Sequence, residues 1–181
     1  MTEMEFNMTK INAFALRATL ASVLLAVSGL AAASSTVVTV DAKTNSFGGG
    51  VALDTGVFLT AGEMFTVSVP TTELWNNSYG DPSYDANADG NTFQTLTIGN
   101  LTAAIGSLVG EVGTGDYFKV GTSFSGAAAT NGELNFFYLD SDAFNNSGAV
   151  QATISAVPEP TTLALMGLGL AAVGLSRRRK V

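Results

Sequence analysis

Asp140, Asp142, Asn145 and Asn146 place two carboxylates and two carboxamides within seven residues. This all-oxygen donor set suits a hard divalent cation: Ca2+ collects six to eight oxygens from carboxylates, amide carbonyls, backbone carbonyls and water. Asp, Asn, Ser and Gly are also the ordinary residues of turns, so the same run reads as a plain polar turn as well. A second oxygen-rich run, Asp85-Ala86-Asn87-Ala88-Asp89-Gly90, opens in the manner of an EF-hand loop. Asp85, Asn87 and Asp89 stand at alternate positions, followed by a glycine where such a loop turns sharply. Its twelfth position is Leu96, where a bidentate glutamate is expected, and no helical periodicity flanks it. A second Ca2+ site and a simple acidic loop are both open there.

The 181-residue chain contains neither cysteine nor histidine. Disulfide staples, thiolate or imidazole metal sites, a cysteine nucleophile and a Ser-His-Asp triad are therefore excluded, and any metal must be bound through oxygen. Asp140 and Asp142 lie two residues apart on a turn rich in metal-type oxygens, and nothing marks one of them as a proton donor of raised pKa. No enzyme is expected. The basic residues are distributed unevenly: between Ser34 and Ala156 only Lys43 and Lys119 face twelve acidic residues, a net charge of −10. Such a segment repels nucleic acid.

The elements that must position these loops are strands. From Ser34 to Ala156 the chain shows short alternating apolar runs bounded by Gly, Asn, Asp and Ser, without long helical periodicity. The pattern predicts strands near Thr36–Val40, Gly50–Leu59, Met64–Val69, Phe93–Ile98, Ala103–Val112, Tyr117–Val120, Glu133–Leu139 and Ala149–Ser155. Their spacing predicts an all-β fold, an antiparallel jelly-roll-like β-sandwich. Phe47, Phe58, Phe65, Phe93, Phe118, Phe124 and Phe136 are expected in or near its core.

Three local patterns follow one another in this segment: Asp54-Thr55-Gly56-Val57-Phe58-Leu59 with Ala61-Gly62-Glu63-Met64-Phe65-Thr66-Val67; then Trp75-Asn76-Asn77-Ser78-Tyr79-Gly80-Asp81-Pro82; then Phe136-Phe137-Tyr138-Leu139-Asp140 with Asn145-Asn146-Ser147-Gly148. In this order, over roughly Val51 to Ile154, the segment distantly resembles the calcium-dependent galactose-binding bacterial lectins, which are small β-sandwiches. The resemblance implies that Asp140, Asn145 and Asn146 ligate Ca2+, with backbone carbonyls from the Asp142–Ala143 stretch and from Tyr79. It also implies that two sugar hydroxyls complete the metal's shell while Asp140 and Asn145 hydrogen-bond them. Those lectins place a histidine and a glutamine in the region of Ser83 to Asn91, where this chain has no histidine, so a sugar bound here need not be galactose.

Both ends carry targeting signals. Residues 1–33 read as a signal peptide: a leader with Lys10 and Arg17, an apolar run from Ala18 to Leu30, and a small-residue cleavage site at Ala31 and Ala33. Glu3 and Glu5 are unusual so early in a leader, which makes Met8 an alternative start. Residues 157–181 contain Pro158-Glu159-Pro160, an apolar stretch from Thr161 to Ser176, and Arg177-Arg178-Arg179-Lys180. The prolines keep the triplet extended and accessible. The 16 apolar residues reach about 24 Å as a helix, against a hydrocarbon core of about 30 Å. The four cations are expected to stay on the cytoplasmic side and halt export. This constellation resembles the PEP-CTERM sorting signal of Gram-negative bacteria that make extracellular polysaccharide. It implies recognition of Pro158, Glu159 and Pro160 by an exosortase, after signal peptidase has acted at the other end, and delivery to the cell surface or extracellular matrix. The expected organisation is a signal peptide, a β-sandwich over residues 34–156, and a sorting segment held in the membrane by a short helix before processing. The expected role is Ca2+ and carbohydrate binding, with a structural coat protein of the matrix or biofilm as the other reading.

Overall fold

Alternation of inward apolar and outward polar residues builds eleven strands in the computed structural model, which describes residues 34–89 and 94–157 together with Gly167 and Gly169. In chain order they are β1 (Ser34–Asp41), β2 (Leu53–Leu59), β3 (Met64–Ser68), β4 (Trp75–Asn76), β5 (Thr95–Ile98), β6 (Leu101–Ala104), β7 (Leu108–Val112), β8 (Phe118–Lys119), β9 (Ser123–Ala127), β10 (Gly132–Tyr138) and β11 (Ser147–Val157). They form two antiparallel sheets. One runs β1-β11-β3-β9, with β4 paired to the start of β11, and the other runs β2-β10-β7-β8; β5 and β6 make a separate hairpin. Ser34 pairs with Ala156, so the chain enters and leaves this domain at the same end of one sheet. The signal peptide, the Pro-Glu-Pro triplet and the basic run lie outside the described residues. So does the expected C-terminal helix, except for Gly167 and Gly169, which are helical.

Facing sheets bury Val40, Phe65, Val67, Leu108, Leu134, Phe136, Tyr138, Val150 and Ile154 between them, together with Trp75. Each such side chain contributes about 1.5–3 kcal/mol through removal from water. Ile98, Ala103, Val109 and Leu139 make a smaller cluster under the β5-β6 hairpin.

Several expectations change. The single strand expected over Ala103–Val112 is two, β6 and β7, separated by a turn at Gly106 (φ 95°), whose amide donates to Leu139 O at 2.8 Å. β4 and β9 are additional strands. Phe58 is 73 % exposed: in β2 the inward side belongs to Thr55, Val57 and Leu59, and strand alternation turns Phe58 outward. Phe47 lies at the rim against Tyr117 and Phe137, while Phe65 and Phe136 are buried and Phe118 and Phe124 pack against the core. Phe93 lies outside the described residues.

β10 shifts register against β2 between Glu133 and Asn135. The bulge is closed by a side chain: buried Thr55 Oγ1 donates to Leu134 O at 2.6 Å. Thr55→Val keeps the volume and removes the donor from a buried carbonyl, so it is expected to cost about 1–2 kcal/mol, read as a lowered urea midpoint at unchanged slope.

Candidate functional site

After β10 the chain from Leu139 to Asn146 loops over a floor made by residues 41–51, then re-enters the sheet as β11. The floor is rigid because its own polar groups are paired. Asn45 Oδ1 accepts from the Asp41 amide at 2.8 Å, and its Nδ2 donates to Val51 O at 3.1 Å. Backbone bonds then tie floor to loop: Phe47 N to Tyr138 O (2.9 Å), Gly48 N to Asp140 O (2.7 Å) and Ala143 N to Gly48 O (3.0 Å). Ser46 Oγ donates to Asp140 O at 3.3 Å. At Gly48 the two backbones approach so closely that an added Cβ would lie 2.1 Å from Ser141 O.

On this floor the loop gathers oxygens. Asp140 is buried, and its Oδ1 accepts from the Asp142 amide at 3.2 Å. Burial pushes the Asp140 carboxyl above the usual carboxylate range; hydrogen bonds from the Asp142 and Ser141 amides and the nearby Asn146 side chain oppose the shift, and the Asp142 charge adds to it. Asn146, also buried, donates Nδ2 to Ala42 O (3.1 Å) and Ser46 Oγ (3.4 Å). Its Oδ1 is buried and accepts no hydrogen bond, and the same holds for Asn145 Oδ1. Buried polar oxygens are ordinarily paired, so a desolvated carboxylate and two buried amide oxygens without donors in one loop single this segment out. These residues fit Ca2+ on the chemistry of their donors. Among the described residues no three Asp or Glu side chains are grouped so as to hold a metal ion.

Tyr79 approaches the same loop from another direction. Pairing of Asn76 with Ser147 and of Trp75 with Gly148 sets β4 beside the start of β11. The turn that follows is shaped by Asn76, which donates Nδ2 to Asp81 O at 2.8 Å and accepts from the Ser78 amide. Ser147 Oγ donates to Gly80 O at 3.1 Å, fastening that turn to the loop's exit. The Tyr79 ring is exposed and meets Phe144. Trp75 anchors this wall: its ring packs edge-on to Tyr138 at 4.6 Å and its Nε1 donates to Asp85 O at 3.1 Å.

The run Asp85-Asn87-Asp89 is built differently. Asp85 Oδ1 accepts from the amides of Asn87 (2.9 Å) and Asp89 (3.3 Å), and Ala88 takes the left-handed conformation (φ 62°) that closes the turn. Asn87 directs its amide to Thr122, with Nδ2 to Oγ1 at 2.7 Å and Oδ1 accepting from N at 3.1 Å. Its carbonyl accepts from Lys119 Nζ at 3.1 Å. Asn87 is a brace to the Thr122 turn, and Gly90 lies outside the described residues.

The floor is what the sequence reading missed. Asn45, Ser46 and Gly48 hold the loop from about a hundred residues away, and their one local signal is the run Gly48-Gly49-Gly50 shortly after Asn45 and Ser46. Cavities of about 260 Å3 (Phe65, Phe118 and Phe124) and 270 Å3 (Thr36, Phe58 and Ile154) contain none of the candidate ligands.

No curated protein sequence matches the chain. Among solved structures, the EclA N-terminal domain, a PllA-like lectin, is similar with a TM-score of 0.49 and 22% identity, over 67% of this chain and 95% of that one. Residues 156–180 match the PEP-CTERM protein-sorting motif, and that motif marks the chain for export and for processing by an exosortase.

Proposed function

We propose that the exported domain is a Ca2+-dependent carbohydrate-binding module. The observation that carries this reading is the group of Asp140, Asn145 Oδ1 and Asn146 Oδ1: a buried carboxylate and two buried oxygens that accept no hydrogen bond. Asp140, Asn145 and Asn146 would hold the cation, with the Tyr79 carbonyl and the Asp142–Ala143 backbone beside them. When bound, the ion supplies positive charge and open coordination positions that sugar hydroxyls can fill. The chain's own part is to fix the oxygens: the floor at Asn45, Ser46 and Gly48 sets the loop's path, and Asn146 is locked by Ala42 O and Ser46 Oγ. Binding is favoured over catalysis because Asp142, the other carboxylate of the loop, is spent on local structure, its Oδ1 accepting from the Phe144 amide at 2.9 Å.

The test is retention of the purified full chain on exopolysaccharide from its own host, with CaCl2 and then with a chelator. Calcium-reversible retention supports the reading, and indifference to the chelator favours a matrix coat protein without specific sugar recognition.

The destination is tested separately. Deleting Pro158-Glu159-Pro160 leaves the apolar stretch and the basic run in place. In a host with its exosortase, the deleted form is expected to accumulate as uncleaved precursor in the inner membrane, seen by immunoblot of membrane and surface fractions. Unchanged processing would show that the tail acts as a plain anchor.

A further inference from the structure

Strand β1 is a sheet edge that the fold leaves open. It pairs with β11 along its whole length, from Ser34 to Asp41, without a register shift, and among the described residues no strand pairs with its other side. The bond from the Ala42 amide to Gly148 O sets the phase of that pairing. Even-numbered residues of β1 exchange hydrogen bonds with β11, and odd-numbered ones turn their N–H and C=O groups away from it. Asp41 shows the same phase, since its amide is taken by Asn45 Oδ1 at 2.8 Å. Ser35, Val37 and Thr39 therefore point their backbone donors and acceptors outward along one edge. Edge strands are ordinarily guarded by shortness, charge, proline or bulges. The other edges of the two sheets are guarded: β2 carries Asp54 and faces a register shift, β8 is two residues long with Lys119, and β9 is five residues long with Gly126. From Ser34 to Val40, β1 is uncharged, has neither proline nor glycine, and is rich in Thr and Val, with Val37 58 % exposed at its middle.

Charge and register point to the partner. The segment from Ser34 to Ala156 carries a net charge of −10, so two copies repel over most of their surface. Of the residues in β1, β11, β3 and β9, Asp41 alone is charged, and it stands at the far end of β1 with its Oδ1 accepting from the Lys43 and Thr44 amides. A second copy can approach along β1 without that repulsion. The edge is also its own complement. When two β1 strands are set antiparallel about a two-fold axis at Val37, Ser35 of one copy faces Thr39 of the other, Val37 faces Val37, and every outward N–H and C=O of the three residues finds a partner. The two exposed Val37 side chains then lie side by side on the outer face of the joined sheet. We infer that β1 joins two copies of the chain edge to edge, making one continuous antiparallel sheet across a two-fold axis. This pairing is independent of the calcium reading above.

The chain has no cysteine, so a single introduced thiol reports on a single position. The full chain is expressed in its own host, collected at the cell surface, treated with a mild oxidant and resolved on non-reducing gels. In the inferred pair the two Val37 Cα atoms lie about 5.5 Å apart, within disulfide reach. Two copies of Ser35, or two of Thr39, lie about 14 Å apart, beyond it. Val37→Cys is therefore expected to give about tenfold more disulfide dimer than Ser35→Cys or Thr39→Cys alone. Co-expression of Ser35→Cys and Thr39→Cys on differently tagged chains is expected to restore the dimer, as the mixed species. All three side chains are exposed, so these substitutions leave the core intact. Adding Thr39→Pro to Val37→Cys removes an outward N–H without touching the bonds to β11, and is expected to lower the dimer about tenfold. If Val37→Cys yields no more dimer than the flanking cysteines, the inference is overturned; equal cross-linking at all three positions, the mark of random or parallel contact, overturns it too. A disulfide from Val37→Cys to another host protein, in place of the dimer, would assign the edge to a different strand and overturn the second copy as its partner.

Discussion

Saturating Ca2+ is expected to raise the melting temperature of the domain by about 10 °C, and Asp140→Asn is expected to remove nearly all of that rise. A ligand that binds only the folded state stabilises it by RT ln(1 + [L]/Kd), about 2.7 kcal/mol at a hundredfold excess over Kd. For a domain of roughly 120 residues each kcal/mol moves the midpoint by about 3–5 °C. Asp140 is the decisive position because its carboxylate is the buried negative charge of the cluster, and burial already acts against its ionised form. Its substitution has opposite consequences in the two conditions. Without Ca2+, asparagine relieves the desolvation penalty, so Asp140→Asn is expected to melt at or above the wild-type temperature in chelator. With Ca2+, the variant lacks the charge that holds the ion and stays near its chelator value. Calorimetric scans of both proteins in both conditions give four midpoints. A wild type that melts identically with Ca2+ and with chelator overturns the site, while a variant that keeps the wild-type shift transfers it to other oxygens.

What the sequence revealed of this architecture follows the range of the interactions. Strands β1, β2, β3, β10 and β11 were legible because their inward residues alternate locally, as in Met64–Ser68 and Gly132–Tyr138. β9 was not, because Ser123–Ala127 carries one large apolar side chain and a glycine. Gly126 serves packing: a Cβ there would lie 2.8 Å from Phe124 Cζ, so its absence leaves room for a ring that packs against Phe65 and Phe118. Asp140, Asn145 and Asn146 drew attention as a candidate because they are neighbours in the chain. How the Asn146 carboxamide is fixed was not legible, because its Nδ2 donates to Ala42 O and Ser46 Oγ, about a hundred residues away. Asp85, Asn87 and Asp89 show the same limit. Their spacing left a second Ca2+ site and a simple acidic loop both open, and it gave no sign that the Asn87 amide pairs with Thr122, 35 residues distant.

Gly48→Ala is expected to be the most damaging single-methyl change near the site, costing about 3 kcal/mol of stability and most of the Ca2+ response. The added Cβ would meet Ser141 O at 2.1 Å, Ser141 C at 2.2 Å and Ser141 Cα at 2.6 Å, all backbone atoms with no rotamer through which to retreat. The contact can be relieved only if the floor and the 140–143 segment separate. That movement stretches Gly48 N to Asp140 O and Ala143 N to Gly48 O, the two bonds that set the loop's path over the floor. Asp140 then loses its position relative to Asn145 and Asn146, so stability and metal affinity fall together. Gly49→Ala separates this steric effect from ordinary glycine strain. Gly49 has φ 89°, but its Cβ would find only Ala143 Cβ at 3.8 Å. A left-handed alanine costs about 1–2 kcal/mol, without forcing the two backbones apart. Urea midpoints with and without Ca2+ are therefore expected to rank wild type, Gly49→Ala and Gly48→Ala in descending stability. The Ca2+ increment should survive in Gly49→Ala and collapse in Gly48→Ala. An increment intact in Gly48→Ala would mean that the oxygens hold their geometry without the floor.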